Sequence, residues 1–497
     1  MTEPYETYMG RIQSEEDKIL FEEAIRCARA GALRAAYILT WLSAAESLKR
    51  RFGSLASQDH VAGKIIKDVE TKESNHRAVD TFLLQKAQEY GLISGSEFSR
   101  LEHVYSMRCL FGHPYEQKPT QEALHAAMVD AVDIVLSRPT KLRHGFIESQ
   151  IALLTENSAF LDDLQEAATR YACEICPRIA DDLHIYLIEK LLEKLEAITS
   201  DASMALFFRR GIWFLRAYLS VDAASHLAAW DTVGALTRYP QSGALLLAQD
   251  QFWSHLSAHA REMAVGALLE AGKTSGEYLK ALQDLHMTGA MSKREVTRFA
   301  QAVTSMDPAY LASAGISLAY FAATIIDKLK SHNWYTQNPA IQVLQNLGPR
   351  EIADLPDEVQ RELGNNVLQA ADGSARDAIQ FLDAIGTDSQ RWPEAFISGI
   401  VEECFVNDRN EVRFKGRELS RALACLRSIS RRAVSRILGR IAQRIRAGSV
   451  PAPWRVKERS EVLTVLGQAD GLADAAALDS LKRAISELEV QEEDDFV

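Results

Sequence analysis

At 497 residues the chain exceeds what one typical core accommodates, so two or more structural units are expected. Its formal net charge of −12 argues against a generic nucleic-acid coat while leaving room for a local basic surface. No apolar run reaches bilayer length, which excludes a helical membrane span. The polar, acidic start (MTEPYETYMGRIQSEEDK) does not read as a signal peptide, and the six scattered cysteines suit reduced thiols, so a cytoplasmic chain is expected. Only 26 Gly and 13 Pro interrupt the chain, a low share that favours long regular elements.

Apolar residues recur at steps of three and four almost throughout, the helical period, and the fold class expected is all-α. Ser14 starts the first helix, with Glu15 and Glu16 placed to suit the helix dipole. A second helix is predicted over 33–52, with the stripe Ile38, Trp41, Ala45, Leu48 and Phe52. A polar stretch at 64–77 leads into a third, closed by Gly91. Ser94 or Ser96 caps the next, which runs to about Phe111, and a helix over 121–136 completes the unit. Ser137, Arg138 and Pro139 break the pattern, placing a boundary near 140. From 141 to 497 the sequence reads as many helices with short turns, including 160–173, 177–198, 204–219, 301–329 with a break near Pro308, and 431–446. That is too much helix for one bundle, so an α-solenoid-like array of stacked pairs is expected, although no fixed sequence period is present.

The chemically informative segment lies at the end of the fourth predicted helix: Val104-Tyr-Ser-Met-Arg-Cys-Leu-Phe-Gly-His-Pro-Tyr115. Leu101, Val104, Arg108 and Phe111 fall on one stripe, so a guanidinium sits where an unpaired charge is costly. Gly112 and Pro114 end the helix around His113, because a residue before proline avoids the α region. Arginine grips a phosphoryl oxygen bidentately and keeps its proton, while histidine supplies acid or base near neutral pH. A fixed cation and a titratable imidazole at one helix end therefore suit phosphate chemistry.

On these residues the first 140 positions resemble a HEPN domain, a helical bundle with Arg, four to six residues, then His at the end of its penultimate helix. Arg108 and His113, with four residues between them, match that motif, and Tyr115 matches the Arg-x4-His-x-Tyr form carried by toxins paired with nucleotidyltransferase antitoxins. The resemblance implies a metal-independent endoribonuclease, a bacterial toxin or anti-phage abortive-infection protein, without cofactor. Its implied partners are an RNA substrate, a second copy of the domain and an antitoxin that adds AMP to Tyr115. Glu46, on the second helix, matches an acidic active-site neighbour of some relatives. Active relatives usually carry a polar residue after the Arg, where this chain has Cys109. That departure favours the alternative implication, a non-catalytic adaptor or scaffold dimerising through the same domain.

Beyond 140, the segment 409–459 holds 15 Lys or Arg against three Glu. Within it Arg432, Arg436, Arg440 and Arg444 recur every fourth residue on one helical face. The stripe reads either as an RNA track or as a solvated face, possible partners for the latter including the acidic tail at 487–497. Gly266 to Thr274 mimics a phosphate loop but has one residue too many and continues a helix. Cys173 and Cys176, with His184 nearby, lack a second pair at zinc spacing, so no metal is expected.

Overall fold

A computed structural model describes residues 4–113, 117–387, 391–407, 409–413, 415–450, 454–488 and 490–491. The described chain is a helical array. Its only named strands are the two-residue pair Trp454–Arg455 and Val490–Gln491. No helix among the described residues is long and apolar enough to cross a membrane. Two compact units are present: residues up to 247 together with 251–261, and 248–250 together with 262 onward.

The first unit runs through α1 (Pro4–Arg11), α2 (Glu15–Arg29), α3 (Leu33–Leu55), α4 (His60–Ser74), α5 (Asp80–Tyr90), α6 (Gly95–Gly112) and α7 (Gln121–Ala131). It continues through α8 (His144–Glu156), α9 (Gln165–Ile175), α10 (His184–Ile198), α11 (Ala205–Val221), α12 (Ala223–Ala229), α13 (Thr232–Arg238) and α14 (Pro240–Leu247). Ser14 and Gly91 stand at the helix ends their chemistry suggests, and Gly91 takes φ 84°. Ser94 and Glu97 form a reciprocal capping box at the start of α6. The predicted helix over 121–136 passes from α7 into a π-turn at Val132–Leu136. The Val135 carbonyl within that turn and the Arg138 carbonyl just beyond it accept from the buried Arg51 guanidinium.

The helices expected over 160–173 and 177–198 begin later, at Gln165 and His184, and one further local reading changes. The polar stretch at 64–77 is itself mostly helix, because α4 hides only the narrow stripe Ala62, Ile65 and Val69 and leaves the rest to solvent. Its cap is Asp59, which is 1% exposed. That carboxylate accepts from the Val61 and Ala62 amides at 2.8 and 3.3 Å, the Tyr90 hydroxyl at 2.7 Å and the Phe146 amide at 3.2 Å. Helices α4, α5 and α8 thus meet on one buried anion, and the stretch around residue 140 lies inside the first unit.

In the second unit the order of packing is regular. From Ala322–Lys330 through Trp334–Ala353, Asp357–Asp372, Arg376–Thr387, Glu394–Glu403, Gly416–Cys425, Arg431–Ala447, Val456–Val465 and Ala475–Ser486, each helix packs on the second one along the chain. This is the stacked-pair arrangement of a solenoid, in which each helix buries one face on the preceding layer. The predicted helix 301–329 is broken into Lys293–Thr304, Pro308–Ser313 and Ala322–Lys330, with Pro308 opening the middle piece. Asp357–Asp372 and Glu394–Glu403 approach most closely at Gly364 and Gly399. A Cβ on either would stand 2.1 Å from a backbone carbonyl of the other helix.

Candidate functional site

The end of α6 is fixed by aromatic contacts with α3. Trp41 and Tyr105 have ring centroids 5.1 Å apart, and Tyr37 and Phe111 5.0 Å apart. Moving back along α3 therefore moves forward along α6, so the two helices run antiparallel. Leu101, Val104 and Phe111 are buried, whereas Arg108 is only half-buried, at the margin of their stripe.

Arg108 forms no ion pair among the described residues, and its Nη1 lies 4.0 Å from the Cys109 sulfur. Beside it, Tyr105 has its phenol pushed up by burial first, then by its hydrogen bond with Cys109 and by the Asp80 carboxylate, with Arg108 acting in the opposite sense. Asp80, the first residue of α5, accepts the Trp41 indole N–H at 2.7 Å. Tyr105 and Cys109 therefore adjoin the guanidinium, and Trp41 and Asp80 stand in the surroundings of Tyr105. Sequence reasoning did not select Asp80 or Tyr105. The available signal was an acid opening α5 and an aromatic one turn before Arg108.

His113 is the residue after Gly112 and is exposed. Its backbone is extended (φ −82°, ψ 122°), as the residue before a proline is driven to be, and its amide donates to the Leu110 carbonyl at 3.3 Å. It stands just past the C-terminal turn that carries Arg108, at the end where a helix presents unsatisfied carbonyls. Tyr115 lies outside the described residues.

Glu46 is not brought to this end. It is half-buried on α3, on the far side of Trp41 from Tyr37. At 1.5 Å per residue, the antiparallel register sets it about 12 Å along the helix axes from Arg108 and about 20 Å from His113. The acid whose charge reaches Tyr105, as that of Arg108 does, is Asp80.

The arginine stripe of the second unit is a separate feature. Arg436 pairs with Glu394 through its Nε at 3.0 Å. Arg440 donates to Ser398 at 3.0 Å and Glu402 at 3.1 Å. Arg444 donates to Glu402 at 2.9 Å and to the Asn407 carbonyl at 2.7 Å. Glu394, Ser398 and Glu402 recur every fourth residue on their own helix, so two matching faces meet along their length. Arg432 is exposed at the start of the stripe. The acids that meet the stripe thus come from the helix stacked against it, and residues 489 and 492–497 of the tail lie outside the described residues.

The phosphate-loop mimic is confirmed as helix through Ala271, the end of Ala258–Ala271. Of the cysteine pair, Cys176 is buried and Cys173 exposed.

No protein-family model matches the chain, and no curated protein matches it. Among solved structures, the crystal structure of an engineered protein matches at 16% identity over 68% of this chain and 98% of its own, with a TM-score of 0.18. At that score the likeness carries no argument about fold or function.

Proposed function

We propose that this chain is a HEPN-type endoribonuclease effector, a toxin or abortive-infection protein whose helical second unit restrains or directs it. The observation that carries the reading is Arg108, a permanent cation half-buried without a carboxylate partner among the described residues, five residues before an exposed histidine at the helix end. A guanidinium left uncompensated in this way is ready for an anion from outside the domain. The RNA 2′-hydroxyl attacks the adjacent phosphorus, and the bond to the 5′-oxygen breaks. The products are a 2′,3′-cyclic phosphate and a 5′-hydroxyl. His113 moves the proton from the 2′-oxygen or to the leaving oxygen, and Arg108 stabilises the charge of the pentavalent transition state. A second copy, meeting the first across the ends of α6, would supply the opposite half of the cleft. An antitoxin acting on Tyr115 is the corresponding regulator.

The competing reading, a non-catalytic adaptor, is favoured by Cys109, whose sulfur faces the guanidinium where relatives place a polar group. One experiment separates the two. The full chain is incubated with single-stranded RNA in excess EDTA, alongside Arg108→Ala and His113→Ala. The ribonuclease reading expects 5′-hydroxyl products from the parent and at least about a hundredfold loss in each variant, the usual range for positioned acid–base and oxyanion-stabilising groups. Undiminished cleavage by His113→Ala, or no cleavage by the parent, would leave the adaptor.

A further inference from the structure

We propose that the first unit carries a metal site formed by Cys176, His184 and His226, suited to a borderline divalent ion such as Zn²⁺. The three come from separate places in the sequence. Cys176 follows the end of α9, His184 is the first residue of α10, and His226 lies on the short helix α12. One ligand atom from each lies within 4.8 Å of the other two. Zinc bonds of about 2.0–2.3 Å set neighbouring ligand atoms roughly 3.5 Å apart, so modest side-chain rotation closes the triangle.

The surroundings point to a ligand independently of that spacing. His226 is 7% exposed, and its Nδ1 is buried without a hydrogen-bond partner. A buried imidazole nitrogen left bare is costly unless something occupies it. The His226 ring is held flat against Tyr218, with 11° between the planes. His184 is fixed from the same residue, its Nδ1 lying 2.6 Å from the Tyr218 hydroxyl. That hydroxyl also hydrogen-bonds Cys176. Tyr218 therefore orients all three groups from behind, as an outer shell does: Nδ1–H of His184 can donate to the phenol oxygen while Nε2 faces the ion, and the phenol O–H can donate to the thiolate. The fourth position is open to water or to Asp181, whose Oδ1 lies 3.8 Å from His184 Nε2. One thiolate and two imidazoles, held by residues of α10 and α12 and the residue after α9, suit zinc and cobalt. Cys173 is exposed and is no member of the ligand set. The sequence alone showed the Cys pair and His184, and the fold supplies His226.

The test uses the full chain, stripped with chelator, dialysed and titrated with Co²⁺ alone, followed by competition with Zn²⁺. The expected result is saturation at one equivalent, with the strong visible bands of a tetrahedral ion and a thiolate-to-cobalt band in the near ultraviolet that zinc abolishes. Cys176→Ser should lose the thiolate band, and His226→Gln should weaken binding at least about tenfold. Tyr218→Phe keeps every ligand and should weaken binding about 10–100-fold, the usual outer-shell effect. Cys173→Ser should bind as the parent does. Absence of a one-equivalent complex in the parent would overturn the proposal, whatever the variants do. So would a thiolate band that survives Cys176→Ser, or one lost in Cys173→Ser.

Discussion

Replacing Asp59 by alanine tests the central fastening of the first unit. The carboxylate is 1% exposed and accepts four hydrogen bonds, from two amides of α4, one hydroxyl of α5 and one amide of α8. Loss of an N-cap costs about 1 kcal/mol. Each hydrogen bond to a charged group contributes about 1.5–3 kcal/mol, and orphaning its buried donor adds to that. The bonds share one anion and do not sum, so about 3–5 kcal/mol is expected for Asp59→Ala. Asp59→Asn keeps one acceptor oxygen and should lose about half as much. Gly145→Ala should reproduce part of the defect with Asp59 intact, since its Cβ would stand 2.3 Å from Asp59 Oδ1. Because the chain has two units, the assay is pulse proteolysis in urea, following fragments of the first unit separately from those of the second. A shift below about 1 kcal/mol for Asp59→Ala, or equal loss in the Asn and Ala variants, would refute the view that one buried anion joins α4, α5 and α8.

Three further outcomes are expected. Glu97 is held at about 2 by its hydrogen bond from Arg138, helped by the Ser94 cap. Its folded value is below the unfolded one, so its contribution is present above about pH 4.5 and lost as pH falls toward 2. The half-exposed Arg138 discounts this to about 1–2 kcal/mol, and Glu97→Gln should flatten the acid limb of a melting-temperature profile, an unchanged limb counting against it. In the second unit, Glu402 is 4% exposed beneath Arg440 and Arg444, so Glu402→Gln should cost about 2–3 kcal/mol in denaturant. The triple change Arg436→Ala, Arg440→Ala and Arg444→Ala should leave the salt dependence of RNA affinity unaltered. A fall of about 2–3 in the log–log slope would instead make the stripe an RNA track.

Much of the architecture was legible in the sequence because helices announce themselves locally. The three-and-four periodicity around Trp41 and Leu48, the Ser94/Glu97 cap and Gly91 depend on neighbours within a turn, and the structure places helix and ends there. The polar run at 64–77 misled because a helix covering a wide core needs only Ala62, Ile65 and Val69, too sparse a stripe to stand out. Solenoid stacking was inferable from length alone, but its second-neighbour order was not, since no repeat period marks it.

At the candidate site, the sequence by itself determined that a guanidinium on an apolar stripe and a histidine before proline share one helix end. Both facts follow from spacing and local backbone preference. Only the tertiary structure decided which acid is near. The antiparallel pairing of α3 and α6 carries Glu46 away and brings Asp80, through Trp41, to Tyr105 beside Arg108. It likewise decided that Arg440 and Arg444 face Glu402, and that His226 joins Cys176 and His184 around Tyr218. Such meetings depend on the register and crossing of helices far apart in the chain. Burial of whole faces fixes that register, and no local pattern of residues encodes it.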